Sequence, residues 1–179
     1  MRRSEREILD DDKIDEIIEE CKVIRVGFVD CNEVYIVPFN FGFGYTKEGK
    51  RAFYIHGAAS GRKIDLLKKY PHVGFELDFM SDVFKKGEDD CSYTCGYKSV
   101  IGTGEAGILE SMKDKINAMD LIMRHYTHKD EYDYNPKAFD MTVIWVIEVD
   151  KISCKVHEEW LYVSFRSWVK LWWNISCHR

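Results

Sequence analysis

The densest chemistry in the sequence lies in the string Phe53-Tyr54-Ile55-His56-Gly57-Ala58-Ala59-Ser60-Gly61-Arg62-Lys63. An apolar, strand-like stretch runs into a turn of small residues and then into a helix start that carries a hydroxyl and two cations. A phosphate monoester asks for that set: free backbone N–H groups at a helix N-terminus, a serine hydroxyl, an arginine fork and a lysine point charge. The helix macrodipole disfavours cations at its N-terminal end, so Arg62 and Lys63 there point to an anion nearby. The alternative is that they decorate a solvated helix start. His56 adds an imidazole, the side chain suited either to proton transfer near neutral pH or to shaping a pocket wall.

Two other constellations carry less. Gly102-Thr103-Gly104-Glu105-Ala106-Gly107 matches a G-x-G-x-x-G dinucleotide fingerprint. Its glycines fall inside an alternating strand, however, Glu105 would repel a pyrophosphate, and no second parallel strand follows. Small residues on one strand face are read instead as room for something flat, or for another chain, to approach. Cys91 and Cys95, with His125 and His128, raise a zinc site, but the compact Cys-x2-Cys pairs of structural zinc are missing. They read as free thiols in a loop and two helix-end histidines, and no metal is expected.

The elements that must position these residues follow from periodicity. Ser4 and Glu7 have capping-box spacing, and Ile8, Leu9, Ile14, Ile17 and Ile18 predict an amphipathic helix over the first 20 residues. From Lys22 the period changes to two, with a hairpin over Val23–Val29 and Val34–Pro38 and further extended segments at 39–45 and 51–56. A short helix from Arg62 ends at Tyr70 before Pro71. Strands at 73–77, 98–109 and 142–149 and a helix capped by Ser111 complete the pattern, which is that of a small antiparallel barrel punctuated by helices.

Composition bounds the reading. A chain of 179 residues with 45% hydrophobic and 32% charged residues makes one globular domain, and its net charge of -5 argues against nucleic acid as a partner. No apolar run reaches the length of a signal peptide or a membrane span, and six scattered cysteines suit reduced thiols, so a cytoplasmic protein with no membrane partner is expected.

Taken in order, Tyr35-Ile36-Val37-Pro38-Phe39-Asn40, the Phe53 to Lys63 string, Val73-Gly74-Phe75-Glu76, and Tyr97 to Ala106 resemble the pyridoxamine 5'-phosphate oxidase-like flavoproteins, and within them the nitroimidazole-resistance branch. The resemblance runs from about Arg3 to His157 and is most specific at His-Gly-x-x-Ser-Gly-Arg-Lys. It implies a mainly β fold, a six-stranded antiparallel split β-barrel with flanking helices, as a homodimer with a flavin at each subunit interface. The cofactor would be FMN, with FAD as the alternative. Val37, Pro38, Phe39 and Asn40 would lie along the isoalloxazine ring, and Tyr54, Ile55 and His56 would continue that wall. Ser60, Arg62 and Lys63 would hold the phosphate. Ser99 and Val100 would meet the flavin's other edge, from this chain or its partner. His56 would be the candidate proton donor.

The implied function is a flavin-dependent reductase of small oxidised molecules such as 5-nitroimidazole drugs. One alternative is oxidation of pyridoxamine or pyridoxine phosphate. The Arg-x-His signature for that activity has Lys155-Val156-His157 as its nearest counterpart, and Lys lacks the bidentate fork. Another is a binding protein for flavin or haem without turnover. On this reading residues 1–157 form the flavin domain and residues 158–179 an extension. Four of the five tryptophans (Trp160, Trp168, Trp172 and Trp173) lie there, in a segment expected to pack on the barrel or across the dimer.

Overall fold

The computed structural model describes residues 3–85, 88–127, 129 and 131–157. The tryptophan-rich segment, His128 and Cys177 therefore lie outside the described residues. Among these residues eight strands, not six, form one antiparallel sheet: β1 (Glu7–Ile8), β2 (Ile24–Asp30), β3 (Glu33–Phe39), β4 (Gly42–Tyr45), β5 (Arg51–Ala58), β6 (His72–Lys85), β7 (Tyr93–Ile108) and β8 (Thr142–His157). Four α-helices accompany them: α1 (Asp11–Glu20), α2 (Arg62–Lys69), α3 (Met112–Thr127) and α4 (Pro136–Asp140). Among the described residues no helix is long and apolar enough to cross a membrane.

The differences from the sequence expectation have local causes. Asp10, not Ser4, caps the first helix by accepting from the Lys13 N–H at 2.9 Å. That frees Glu7 and Ile8 to pair with Lys155 and Cys154 of β8. The hairpin of β6 and β7 also runs farther than expected, to Lys85↔Tyr93, with an irregularity between Met80 and Val83. Ladder pairing there outweighs the poor strand propensity of Asp, Ser and Lys, and it moves Cys95 from a loop into β7.

The strand order is β3-β2-β6-β7-β8-β5-β4, with β1 on the side of β8. The edge strands β3 and β4 are nevertheless joined by only Asn40 and Phe41. A flat sheet would hold them about 29 Å apart, six spacings of about 4.8 Å. Three residue steps span at most about 11 Å. The sheet must therefore curl until its edges converge at the Phe39–Gly42 link, and it stays split beyond.

Alternation fills the curl. Ile24, Val26 and Phe28 of β2, Phe53 and Ile55 of β5, Phe75 and Leu77 of β6, Val100 of β7, and Trp145 and Ile147 of β8 are all buried in one core. Phe53 sits at its aromatic centre, 5.7 Å from Phe41, 5.6 Å from Phe43 and 4.9 Å from Phe75 between ring centroids. A second cluster seals α3 and α4 against the outside of the sheet through Ala118, Met119, Ile122, Phe139 and Ile144. His125, 5% exposed, ties α3 to the α1 end: its Nε2 donates to the Cys21 carbonyl (2.8 Å) and its Nδ1 lies 2.9 Å from Glu19 Oε2. Both ring nitrogens are thus engaged, which takes His125 out of any zinc site.

The small residues of β7 have a different cause from the one the sequence suggested. A Cβ on Gly102 would stand 2.3 Å from both the Lys151 carbonyl oxygen and the Phe75 ring, and one on Gly104 would stand 2.3 Å from the Glu148 carbonyl oxygen. The space is filled by the chain's own β8 and Phe75, at the register shift between Thr103 and Gly104. The whole G-x-G-x-x-G string lies inside β7.

Three outcomes are expected. Phe53→Ala should lower the unfolding free energy by about 3–5 kcal/mol, read as a lower urea midpoint. Gly102→Ala should destabilise by more than about 1 kcal/mol, while Gly107→Ala, which meets nothing within 4 Å, should be tolerated. Burial pushes the thiols of Cys21 and Cys154 up to about 12 and about 11. At neutral pH a thiol reagent should label exposed Cys31 and Cys91 in the native protein and reach Cys21 and Cys154 only on unfolding.

Candidate functional site

The split leaves two strand edges unpaired. Among the described residues no strand covers the far side of β3, and β4 covers β5 only from Arg51 to Tyr54. Backbone N–H and C=O groups of Val37–Asn40 on one wall and of Ile55–Ala58 on the other are thus available to a ligand, as buried backbone groups rarely are. Pro38 stands on this edge, where its missing N–H breaks no ladder bond. Between the walls lies Trp145, paired in register with Ile55 and packed edge-on against Phe39 with centroids 5.4 Å apart. Its Nε1 is buried without a hydrogen-bond partner, alone in that respect among the described residues.

At the end of β5 the turn Ala59-Ser60-Gly61 leads into α2. Gly61 has φ of 114°, a backbone conformation that side chains resist, and as N-cap it offers no side-chain acceptor. Its carbonyl accepts from Ile64 (2.9 Å) and Asp65 (3.2 Å), which leaves the N–H groups of Arg62 and Lys63 without an acceptor among the described residues. Ser60 is exposed beside them. The Lys63 side chain lies across Gly57, its Cε 3.3 Å from where a Cβ there would stand. It has no ion-pair partner among the described residues. The glycine of the His-Gly pair thus makes room for the lysine.

Arg62 already has an anion. Its Nε and Nη2 donate to the same Asp30 Oδ2 at 2.9 and 2.7 Å, Glu33 Oε2 lies 3.9 Å from Nη2, and the guanidinium stacks 4.5 Å from the Tyr35 ring centroid. Hydrogen bonding to Asp30 pushes the guanidinium pKa up further. The cation that looked misplaced at a helix start is therefore explained in part by the β2–β3 turn. Asp30, Glu33 and Tyr35 are site residues that sequence reading did not single out.

The other predicted residues separate into groups. Val37 and Phe39 turn inward against the barrel core, and Pro38 and Asn40 are exposed. Ile55 and Val100 are 0% exposed in the core, so only their backbones could meet a ligand. Tyr54 lies on the outer face of β5, lining a hollow of about 400 Å³ with Leu121, Asp114 and Glu148. Burial first, then Glu148 and Asp114, pushes its hydroxyl up. His56 shares that face of β5 and is exposed, with no partner among the described residues. Ser99 sits in the middle of β7 between Asp78 and Lys155, three strand spacings or about 14 Å from β3 around the wall. Within one chain Ser99 and Val100 stand on neither wall of the slit, and β7 is two strand spacings, about 10 Å, from β5. Lys155 pairs with Glu7 and Ser99, and His157 is buried beside Tyr97, away from the slit.

Elsewhere, His72, Glu105 and Asp150 place ligand atoms within 4.8 Å of one another on the outer surface. His72 Nδ1 lies 2.9 Å from Glu105 Oε1. The group is accounted for as a water-exposed hydrogen-bonded contact across neighbouring strands.

Comparison with known proteins gives this geometry its context. The chain is 31% identical to a candidate 5-nitroimidazole antibiotic resistance protein from Bacteroides thetaiotaomicron, over 84% of this chain and 86% of that one, with a TM-score of 0.70. It shares its fold with the flavocytochrome Anf3 from Azotobacter vinelandii (17% identity, 88% and 72% coverage, TM-score 0.70). It shares it also with an FAD and heme binding protein from Mycobacterium smegmatis (15% identity, 87% and 75% coverage, TM-score 0.67). No curated protein matches the sequence. The family model described as Pyridoxamine 5'-phosphate oxidase matches residues 10–156, and with the split sheet and the α2 start in place the chain belongs to that family.

Proposed function

We propose that this chain is a flavin-dependent oxidoreductase that holds FMN, or FAD by its first phosphate, in the slit of a homodimer and reduces small oxidised molecules of the 5-nitroimidazole kind. The observation that carries the reading is one juxtaposition. A helix N-terminus without a side-chain cap and a Lys63 without an ion-pair partner stand at the end of two strand edges that no strand covers, all among the described residues. A phosphorylated, flat heteroaromatic ring with donors and acceptors along its rim fits that combination. The Trp145 Nε1, buried against Phe39 and without a partner among the described residues, agrees with a polar ligand close by.

A bound flavin supplies the two-electron chemistry, and the protein supplies placement and protons. Ser60, Arg62, Lys63 and the first N–H groups of α2 hold the phosphate. Val37, Pro38, Phe39 and Asn40 run along the ring, and Tyr54, Ile55 and His56 continue the wall, Ile55 through its backbone alone. His56 is exposed at that wall and free to hand a proton to a reduced substrate. Ser99 and Val100 belong to the partner's contribution. Val34 and Ile36 on the outer face of β3 are 70% and 62% exposed, and Ile101 beside Ser99 is 53% exposed. A second copy would cover such apolar side chains.

The test is to purify the protein, release any cofactor by heat and identify it by chromatography, reconstituting with FMN or FAD if none is carried. A protein that neither carries nor takes up flavin overturns the reading. Lys63→Ala should weaken FMN affinity about tenfold, the share of one hydrogen bond to a charged group. With a nitroaromatic acceptor and a nicotinamide donor, His56→Ala should lower kcat about a hundredfold without changing flavin content. Saturable binding without product would favour a carrier over an enzyme.

A further inference from the structure

We infer that Asp30 and Tyr35 are positioning residues: they hold the Arg62 guanidinium in advance so that its remaining donors face a phosphate at the start of α2. The inference rests on the flavin reading above and goes beyond it, because neither residue belongs to the phosphate-binding string. An arginine has five N–H donors and a long, mobile stem. Asp30 Oδ2 takes Nε–H and one hydrogen of Nη2, at 2.9 and 2.7 Å. The Tyr35 ring closes one face of the guanidinium at 4.5 Å. Left over are both hydrogens of Nη1 and the second of Nη2, the last with Glu33 Oε2 at 3.9 Å. One edge and one face are fixed, and the opposite edge stays open. Half of the Arg62 side chain is accessible to solvent, so an anion can reach that edge.

The mount comes from another part of the fold. Asp30 and Tyr35 flank the β2–β3 turn, which opens the β3 wall of the slit, while Arg62 follows the β5 wall. The ion pair therefore joins the two walls where no ladder hydrogen bond does. An arginine already ordered loses less freedom when a ligand arrives, which converts into affinity for the group it contacts. Only the phosphate is recognised this way, so the effect should appear with FMN and not with riboflavin.

The experiment titrates the full-length protein, stripped of cofactor, with FMN and separately with riboflavin, following flavin fluorescence. Asp30→Ala should raise the FMN Kd about tenfold and leave the riboflavin Kd within about twofold. Asp30→Asn, which keeps an acceptor for Nε and Nη2, should recover most of the loss. Tyr35→Phe should match the wild type, and Tyr35→Leu should lose FMN affinity as Asp30→Ala does. If Asp30→Ala binds FMN as tightly as the wild type or more tightly, the carboxylate is idle or competes with the phosphate, and the inference falls. Equal weakening of FMN and riboflavin would show a structural role and overturn it too. Arg62→Ala and Lys63→Ala separate the levels. If they weaken FMN selectively while Asp30→Ala does not, the phosphate site stands without its mount. If neither changes the FMN-to-riboflavin ratio, the phosphate site itself is wrong.

Discussion

A sheet whose two edge strands are joined by two residues has to bend, and most of this molecule is a consequence of that bend. The Asn40–Phe41 link brings β3 and β4, the two ends of a seven-strand path, close to each other. Beyond the link nothing pairs β3 with β5, because β4 has only four residues and covers β5 only from Arg51 to Tyr54. Closure at one end and separation at the other are thus the same event. The closed end is packed with aromatic rings, Phe41, Phe43 and Phe53 among them. The open end has backbone groups to offer.

Electrostatics arranges the open end in a similar way. Two cations at a helix start oppose the helix dipole, and each is provided for differently. Arg62 is neutralised by a carboxylate from a neighbouring hairpin and stacked on a ring, whereas Lys63 is laid over a glycine with no counter-charge among the described residues. The local charge is therefore close to balanced for Arg62 and left open at Lys63. An incoming anion would meet one uncompensated ammonium, one guanidinium with donors to spare, and free N–H groups.

How much of this was legible in the sequence depends on the range of the interaction. Period-two alternation located most strands, and the Ser60 to Lys63 turn announced a helix start with anion-binding chemistry, because both signals are local. Asp30 could not be found that way: it meets Arg62 across 32 positions. His125 and Glu19 are separated by 106 and read as unrelated helix ends. β1 is missing from the seven extended segments that periodicity reveals because it is two residues long and hidden behind a better helix signal. Gly102 and Gly104 were legible as special but not as to cause, since a glycine that admits a ligand and one that admits a neighbouring phenylalanine look alike in one dimension. Burial of Ile55 and Val100 in the core likewise separates a backbone contribution from a side-chain one, a distinction only three dimensions carry.

The place of β8 in the strand order sets a timetable for synthesis. It is the last strand in the described chain and lies between β7 and β5, pairing also with β1. Without it the sheet can pair only as two fragments, β3-β2-β6-β7 and β5-β4, tethered through Asn40 and Phe41. Each fragment carries one wall of the slit and a raw edge that β8 will later cover. A nascent chain must hold those edges apart from other strands until about residue 157 has left the ribosome. Pairings of that sequence separation form slowly, and unpaired edges invite wrong partners. The slit is therefore a late product of folding, assembled only once the central strand has slotted between the two halves.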